Sequence, residues 1–274
     1  MSSHIPSVFD HSLGGYAMVA RKPARRLVVF VHGWRGNAYN SWGDFDTPPN
    51  DDWWGAADLL FVEYPSTSES VTASADRMRK YLRDFYPLPN KLMLVSGDFA
   101  AREDRDTPYE ELVLVGHSLG GLVVRRALVD SIDEWKFDGF PDNKRPMILD
   151  ASVRLFSPAS AGFLPRGLLG AFKEAPIWWL VEMFLSSGAY PDLKQDSVII
   201  RETRARTEIY KGDSRAHALS TSILWANPER VVITERYSTD ARTRTADGTT
   251  HATVCKPTDE YNLPYQFVES GLIE

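Results

Sequence analysis

The feature that most constrains the fold is an apolar run that leads through a glycine-rich turn into a helical pattern. Residues 112–115 read L-V-L-V without polar alternation, which is typical of a strand buried on both faces. Residues 116–120 then read G-H-S-L-G, a G-x-S-x-G motif. After this turn, apolar residues recur at helical spacing, namely Leu119, Leu122, Val123, Ala127 and Leu128. The order predicts a strand, a sharp turn and a helix, and residues 131–143 beyond it predict a loop or a short helix.

The serine at this bend, Ser118, is a candidate nucleophile. In such a turn the serine is held in a strained backbone geometry with its hydroxyl exposed above the sheet. Gly116 and Gly120 have no side chains, so the strand and the helix can approach closely. The start of the helix also offers free N–H groups where negative charge develops. A tight turn that carries an ordinary serine is the alternative, and the strand and helix around it favour the nucleophile.

This stretch resembles the α/β-hydrolase family, and most closely its lipase-like serine esterases, whose turn commonly reads G-H-S-x-G-G. Residues 116–121 match that pattern, and residues 31–36 and 251–257 resemble further motifs of the family. The resemblance implies an α/β-hydrolase fold, with a mostly parallel central sheet and helices on both faces. It also implies a single domain over residues 1–274, with an apolar lid or cap inserted at residues 163–196.

Composition excludes several other classes. The chain has 274 residues of which 43% are hydrophobic, enough for one large α/β domain. Its net charge of −6 argues against a nucleic-acid partner, which would favour a basic face. The single cysteine, Cys255, excludes an intrachain disulfide and fits a reducing compartment. Without a signal-peptide pattern, and without an apolar run near the roughly 18 residues of a membrane span, we expect a cytoplasmic protein, with leaderless export left open.

A second motif follows another apolar run at residues 27–31. Residues 32–36 read H-G-W-R-G, and in the resembled family an H-G-x-x-G loop at this place supplies a backbone N–H to the oxyanion hole. A tetrahedral oxyanion needs two aligned donors, each worth a few kcal/mol of the barrier. The resemblance therefore implies that the N–H groups of Trp34 and Leu119 form this hole. A simple turn at the strand end is the alternative for His32 and Gly33.

A serine hydroxyl is a weak nucleophile until a neutral imidazole takes its proton. The family's chain order is serine, acid, histidine, so the base must follow Ser118. His217 precedes the late strand predicted at residues 221–226, which leaves no acid position before it. His251 lies in a loop after that strand, and residues 251–257 resemble the H-x-x-x-x-K-P ending of some lipase-like hydrolases. We therefore predict His251 as the base.

The base needs a carboxylate at its other ring nitrogen to set its tautomer and stabilise the imidazolium. Glu229 follows the strand before the histidine loop, in a P-E-R-V-V context that resembles the family's D-x-V-V. The family more often uses aspartate, and a surface glutamate paired with Arg230 is the alternative. Glu229 is thus the leading candidate for the acid, with Asp240 and Asp247 left open.

The substrate pocket is less well defined by the sequence. Residues 176–185 are apolar nearly all round, with Glu182 as the only charge, and they are too short to span a bilayer. Related esterases often insert an apolar lid here, although a buried core helix is the alternative. A weak contact with a membrane surface is a further hypothesis for this segment. The pocket candidates are His32, Gly33, His117, Trp178 and Trp179.

Together these residues predict a serine hydrolase that cleaves carboxylic esters through an acyl-enzyme. The aromatic content and the apolar segment favour a small-molecule ester with a hydrophobic or lipid-type acyl group. No cofactor or metal is predicted. Acyl transfer, and thioester or amide cleavage by the same triad, stay open, because pocket shape decides the leaving group and the acceptor. A catalytically silent binding protein with a hydrolase-like fold is the alternative from another class.

Overall fold

The computed structural model describes residues 3–9, 15–49, 51–97, 99–163 and 190–271. Its strands are β1 His4–Phe9, β2 Gly15–Ala20, β3 Arg26–Val31, β4 Ala57–Val62, β5 Val95–Ser96, β6 Phe99–Ala100, β7 Glu111–His117, β8 Ser152–Phe156, β9 Ser222–Asn227 and β10 Arg242–Asp247. Its α-helices are α1 Asp52–Gly55, α2 Val71–Leu82, α3 Leu119–Phe137, α4 Tyr190–Leu193, α5 Val198–Ile209 and α6 Leu263–Ser270. Short 3-10 helices occupy Gly43–Asp46, Asp142–Lys144, Met147–Asp150 and Ser214–Leu219.

Eight of these strands form one sheet in the order β1-β2-β4-β3-β7-β8-β9-β10. Strands β3, β4, β7, β8, β9 and β10 pair in parallel, whereas β2 is antiparallel to both β1 and β4. The carboxyl ends of parallel strands share one edge of a sheet, so the loops after β3, β7, β8 and β9 meet there. The predicted mostly parallel sheet is confirmed.

The central strands are buried on both faces, as their unbroken apolar runs require. On β3, Leu27 and Val29 point into one hydrophobic core, and Val28 and Phe30 point into the other. Helices α2, α3 and α5 pack over the first core. Helices α1 and α6 pack over the second core, through Trp54 and through two side chains of α6. The predicted helices on both faces are thereby confirmed.

The structure corrects the predicted extent of the helix after the turn. Helix α3 continues to Phe137, so residues 131–137 belong to this helix and do not form a loop or a separate short helix. Ile132 and Trp135 extend its buried face into the first core, which stabilises the additional turns. Phe137 itself is 92% exposed, and the helix ends there.

Most of the predicted insertion at residues 163–196 lies outside the described residues. At its boundaries, the N–H of Phe163 donates to the carbonyl of Leu193 at 3.0 Å. Phe163 also forms an antiparallel bridge with Val232. The two flanks of the segment therefore meet beside the loop that follows β9, while its role as a lid stays a prediction.

Within the described ranges, no helix combines the length and the apolar character that crossing a bilayer requires.

Candidate active site

The predicted nucleophile lies at the junction of β7 and α3. Ser118 has φ 55° and ψ −120°, a left-handed conformation that L-residues rarely adopt. Neighbouring backbone groups hold it there, because its N–H donates to the carbonyl of Phe156 at 3.0 Å and its own carbonyl accepts from Gly121 and Ala159. Strain of this kind persists only where the surroundings determine it, and here three backbone hydrogen bonds do so.

The glycines of the motif permit close packing around the bend. A Cβ at Gly116 would lie 2.8 Å from the Cα of Gly121, so strand and helix touch backbone to backbone. A Cβ at Gly120 would overlap the carbonyl oxygen of Val31, at the end of the adjacent strand β3. Any side chain at either position would push α3 away from the sheet and move Ser118.

The structure brings Ser118, His251 and Glu229 together. His251 Nε2 lies 2.9 Å from Ser118 Oγ. On the other side of the ring, His251 Nδ1 lies 3.1 and 3.0 Å from the two carboxylate oxygens of Glu229. The chain of hydrogen bonds runs from hydroxyl to imidazole to carboxylate, although residues 118 and 251 are 133 positions apart in the sequence. This is the arrangement in which a histidine can take a proton from a serine while a carboxylate orients its ring.

The Glu229 carboxylate is almost fully buried, with 2% of its side chain exposed, and it is ionised. Burial alone would raise its pKa, but hydrogen bonds from His251, Ser157 and the Val231 N–H together lower the pKa below the ordinary value. The Val231 N–H donates at 2.8 Å. A buried carboxylate held in this way stays charged at neutral pH beside the imidazole.

The two alternative acids lie elsewhere. Asp240 is buried and accepts hydrogen bonds from Arg125 and from the Thr221 hydroxyl, each at 2.7 Å. Asp247 is exposed at the end of β10 and accepts from the Asn227 side chain at 2.6 Å. Of the three candidates, only Glu229 is bonded to His251.

The loop after β3 packs directly on the turn. A Cβ at Gly33 would lie 3.0 Å from the Cβ of Ser118, so no side chain fits between them. Trp34 follows in this loop, and Leu119 is the first residue of α3, where a backbone N–H has no partner within the helix. Leu119 thus directly follows Ser118, and Trp34 follows a glycine that packs against Ser118, while the oxyanion role of both stays a prediction.

The predicted pocket residues have different environments. His32 is fully buried: its ring stacks on Tyr64, and its Nδ1 lies 2.8 Å from the carbonyl of Gly33. Its role in the substrate pocket stays a prediction. His117 is partly exposed and contacts His251, and Gly33 contacts Ser118. Trp178 and Trp179 lie outside the described residues.

Sequence reasoning missed Ser157, and it named His117 only as a pocket candidate. Ser157 follows β8, and besides its bond to Glu229 its hydroxyl accepts from the Ala226 N–H at 3.0 Å. His117 Nε2 lies 2.8 Å from the main-chain oxygen of His251. The signal that could have found Ser157 is its position directly after a parallel strand, because such residues share the edge where Ser118 and Glu229 lie.

A groove of about 510 Å³ lies at the opposite end of α3. Its walls include Arg79, Tyr86, Glu134, Trp135 and Met147, none of which belongs to the predicted site. Ser118 precedes the first residue of α3 and Trp135 is near its last turn, so about 25 Å of helix separates them at 1.5 Å per residue. This groove is therefore distinct from the cluster around Ser118.

Solved structures with a similar fold include a lipase and an esterase. The mature form of the lipase BlEst2 from Bacillus licheniformis aligns with a TM-score of 0.57 and 14% identity, over 93% of this chain and 98% of that one. An esterase from M. tuberculosis aligns with a TM-score of 0.50 and 13% identity, over 97% of this chain and 90% of that one. A comparison with curated proteins gives no match. At these identities the likeness shows a shared fold, the α/β-hydrolase fold.

A family model supports the same class. The family described as "Putative serine esterase (DUF676)" matches residues 21–148, just under half of the 274-residue chain. The matched region includes β3, β4, β7 and the turn at Ser118. The protein has the α/β-hydrolase fold, and the resemblance stated from the sequence is confirmed for the fold. The partial match to a serine esterase family agrees with the activity that the resemblance implies.

Proposed function

We propose that the protein hydrolyses carboxylic esters through a triad of Ser118, His251 and Glu229. The observation that supports this most strongly is the unbroken hydrogen-bonded chain from Ser118 Oγ through both nitrogens of His251 to Glu229. A buried, ionised carboxylate, a neighbouring imidazole and a hydroxyl in a strained turn are the parts that serine acyl transfer needs.

In this mechanism Ser118 Oγ attacks the carbonyl carbon of the ester, and its proton passes to His251 Nε2. The carbonyl oxygen becomes an oxyanion that accepts from the N–H groups of Trp34 and Leu119. When the intermediate collapses, the carbon–oxygen bond to the alcohol breaks, and His251 gives the proton to the departing alcohol. Water then repeats the sequence on the acyl-enzyme, and the acid and free Ser118 result.

Glu229 stabilises the imidazolium that forms in both steps. Its carboxylate accepts from His251 Nδ1, so the ring presents a bare Nε2 to the serine hydroxyl. Because hydrogen bonds already lower the pKa of Glu229, the carboxylate holds its charge while His251 carries the extra proton. Glu229 therefore orients the ring without itself taking the proton.

A fluorophosphonate probe tests the nucleophile. We expect labelling of the wild type and of His217→Gln, a change at an exposed histidine, and no labelling of Ser118→Ala. The Ser118→Ala variant should also lose about 10⁶-fold in kcat, as removal of a triad serine does elsewhere. If the wild type were unlabelled although folded, the catalytically silent alternative would replace this proposal.

The substrate class is a hydrophobic ester, a proposal that rests on the apolar residues 176–185. The alkyl chain of p-nitrophenyl esters can be lengthened in steps, and we expect kcat/KM to rise with chain length. A preference for acetate would contradict the hydrophobic acyl group. The corresponding thioesters and anilides distinguish ester hydrolysis from the thioesterase and amidase alternatives. A cytoplasmic location and weak membrane contact stay predictions of the sequence.

A further inference from the structure

His117 makes a hydrogen bond that the triad does not require. Its Nε2 lies 2.8 Å from the main-chain oxygen of His251. A carbonyl oxygen only accepts, so Nε2 of His117 must carry the hydrogen. The adjacent residue, Ser118, bonds to the side chain of the same histidine at 2.9 Å. Two neighbouring residues therefore hold His251 at two points, one on its main chain and one on its ring.

The His117 ring is neutral. Burial lowers its pKa to about 3, and the neighbouring charges of His251 and Lys256 act in the same direction. The carboxylate of Glu229 and the hydrogen bond to the His251 carbonyl oppose them. At neutral pH the ring thus holds one proton, on Nε2, and places no positive charge beside the imidazolium that forms on His251.

His117 also contacts the loop that carries Trp34. A Cβ at Gly33 would lie 3.2 Å from Nδ1 of His117. The rings of His117 and His251 are 4.9 Å apart between centroids, with an interplanar angle of 43°. The edge of Trp42 approaches His117 at a centroid distance of 6.4 Å. One imidazole therefore touches both the loop after β3 and the loop of His251.

The rest of the His251 loop is held by bonds that begin at the adjacent residue, Thr250. The Thr250 N–H bonds to the Thr253 hydroxyl at 2.9 Å, and Lys256 Nζ bonds to the carbonyl of Asn40 at 2.9 Å. The Thr250 carbonyl also accepts from the N–H groups of Thr253 and Val254 at 3.0 Å each, which closes a turn around His251. None of these bonds reaches the carbonyl of His251 itself. The bond from His117 holds that carbonyl and so adds a direct restraint on the backbone at His251.

We propose that His117 is a positioning residue for the reaction. Its Nε2–H holds the main-chain carbonyl of His251 and thereby keeps the His251 ring between Ser118 Oγ and Glu229. It does not touch the substrate. The proposal rests on the proposed function, because only an active Ser118 gives the position of His251 a catalytic effect.

Two substitutions separate the hydrogen bond from packing. His117→Gln places an amide N–H near the position of Nε2, whereas His117→Met fills a similar volume and has no donor. We expect His117→Met to lower kcat about tenfold to hundredfold, as a misplaced catalytic group does, with little change in KM. His117→Gln should recover most of the wild-type kcat, and the rate of fluorophosphonate labelling should follow kcat in both variants. His217→Met, at an exposed histidine, is the matched control.

Equal kcat values in the wild type and both variants would overturn the proposal. So would equal losses in both variants together with a lowered melting temperature, because packing would then explain the effect.

A measurement without substrate separates this proposal from the proposed function. In ¹⁵N-labelled protein, the His117 ring should remain the neutral Nε2–H tautomer from about pH 5 to pH 8, the range in which an ordinary histidine titrates. A ring that titrates in this range, or that carries its proton on Nδ1, would refute the positioning bond even in an active enzyme. An inactive wild type with the expected spectrum would instead refute the esterase proposal.

Discussion

Two buried carboxylates, Glu229 and Asp240, follow β9, and they differ in the group that each one contacts. Glu229 contacts the imidazole of His251 at 3.0 Å. Asp240 contacts the guanidinium of Arg125 at 2.7 Å, and it also accepts from the Thr221 hydroxyl and the Tyr237 N–H at 2.7 Å each. Both side chains are withdrawn from solvent, with 2% and 0% exposed.

The partners of the two carboxylates determine what each can do. A guanidinium does not lose its proton in proteins, so Arg125 cannot exchange a proton with a reacting group, and its ion pair with Asp240 serves the fold. An imidazole gains and loses a proton near neutral pH, so Glu229 faces a group whose charge can change during a reaction. Burial alone therefore does not distinguish the two carboxylates, whereas the partner of each one does.

The largest effect that tests this comparison is on activity. We expect Glu229→Gln to lower kcat by about 10³- to 10⁴-fold, because an amide neither fixes the correct tautomer nor stabilises the imidazolium. Its melting temperature should stay close to that of the wild type, since the side-chain volume is kept. Ester hydrolysis and thermal unfolding measure the two quantities.

Asp247→Asn is the matched control for Glu229→Gln, because Asp247 is exposed and bonds to Asn227. It should behave as the wild type in both assays. An active Glu229→Gln protein, or an inactive Asp247→Asn protein, would mean that the acid had been assigned to the wrong carboxylate.

The other carboxylate should show the opposite effect. Asp240→Asn leaves the Arg125 guanidinium buried without a counter-charge, and we expect a loss of about 3 kcal/mol in the free energy of unfolding. The fraction that remains folded should keep its kcat, since Asp240 does not contact His251. Urea denaturation combined with active-site titration checks both points. Wild-type stability with a lost kcat would reverse the roles given to the two residues.

The sequence could predict the parts of this site that depend on local order. The strand, turn and helix around Ser118 are contiguous, so an apolar run and helical spacing were enough to predict the bend. The choice among Glu229, Asp240 and Asp247 could not be made in this way, because it depends on which side chain each one faces. Arg125, the partner of Asp240, lies 115 residues away.

The contacts of His117 and the burial of His32 were also beyond sequence reasoning. The carbonyl that His117 binds is 134 residues distant, and the ring that covers His32 belongs to Tyr64, after the next strand of the sheet. The end of α3 was misjudged for another reason. The buried residues Ile132 and Trp135 continue the helical spacing, but polar residues between them weaken the pattern.

A smaller effect tests the loop that packs beside the triad. In Gly33→Ala the new methyl group would lie 3.0 Å from the Cβ of Ser118 and 3.3 Å from the carbonyl oxygen of His117, so the loop must move. We expect kcat to fall about tenfold or more, as displacement of an oxyanion donor does. The substitution Gly55→Ala is its control, because a Cβ there meets nothing within 4 Å. Unchanged kcat in Gly33→Ala would argue against an oxyanion role for this loop.

The smallest expected effect is on the pH dependence of stability, and it concerns the neutral imidazole of His117. The pKa of His117 is lowered from 6.5 to about 3, mainly by burial. Between these values the unfolded chain binds a proton at this residue and the native protein does not, so its contribution to stability is complete above pH 6.5 and is lost as the pH falls. His117→Gln cannot bind this proton. Between about pH 7 and pH 5, we expect the free energy of unfolding of His117→Gln to fall by about 1 kcal/mol less than that of the wild type. The figure is kept this small because His117 is partly exposed.

Urea denaturation of the wild type, His117→Gln and His217→Gln at the two pH values measures this difference. The exposed His217 should contribute nothing, so its variant should follow the wild type. The lowered pKa of the buried His4 acts with the same sign but is common to all three proteins, and it cancels in the comparison. If all three proteins lose the same stability, the fold does not hold His117 neutral. The contrast with the pair of Asp240 and Arg125 would then rest on His251 and Glu229 alone.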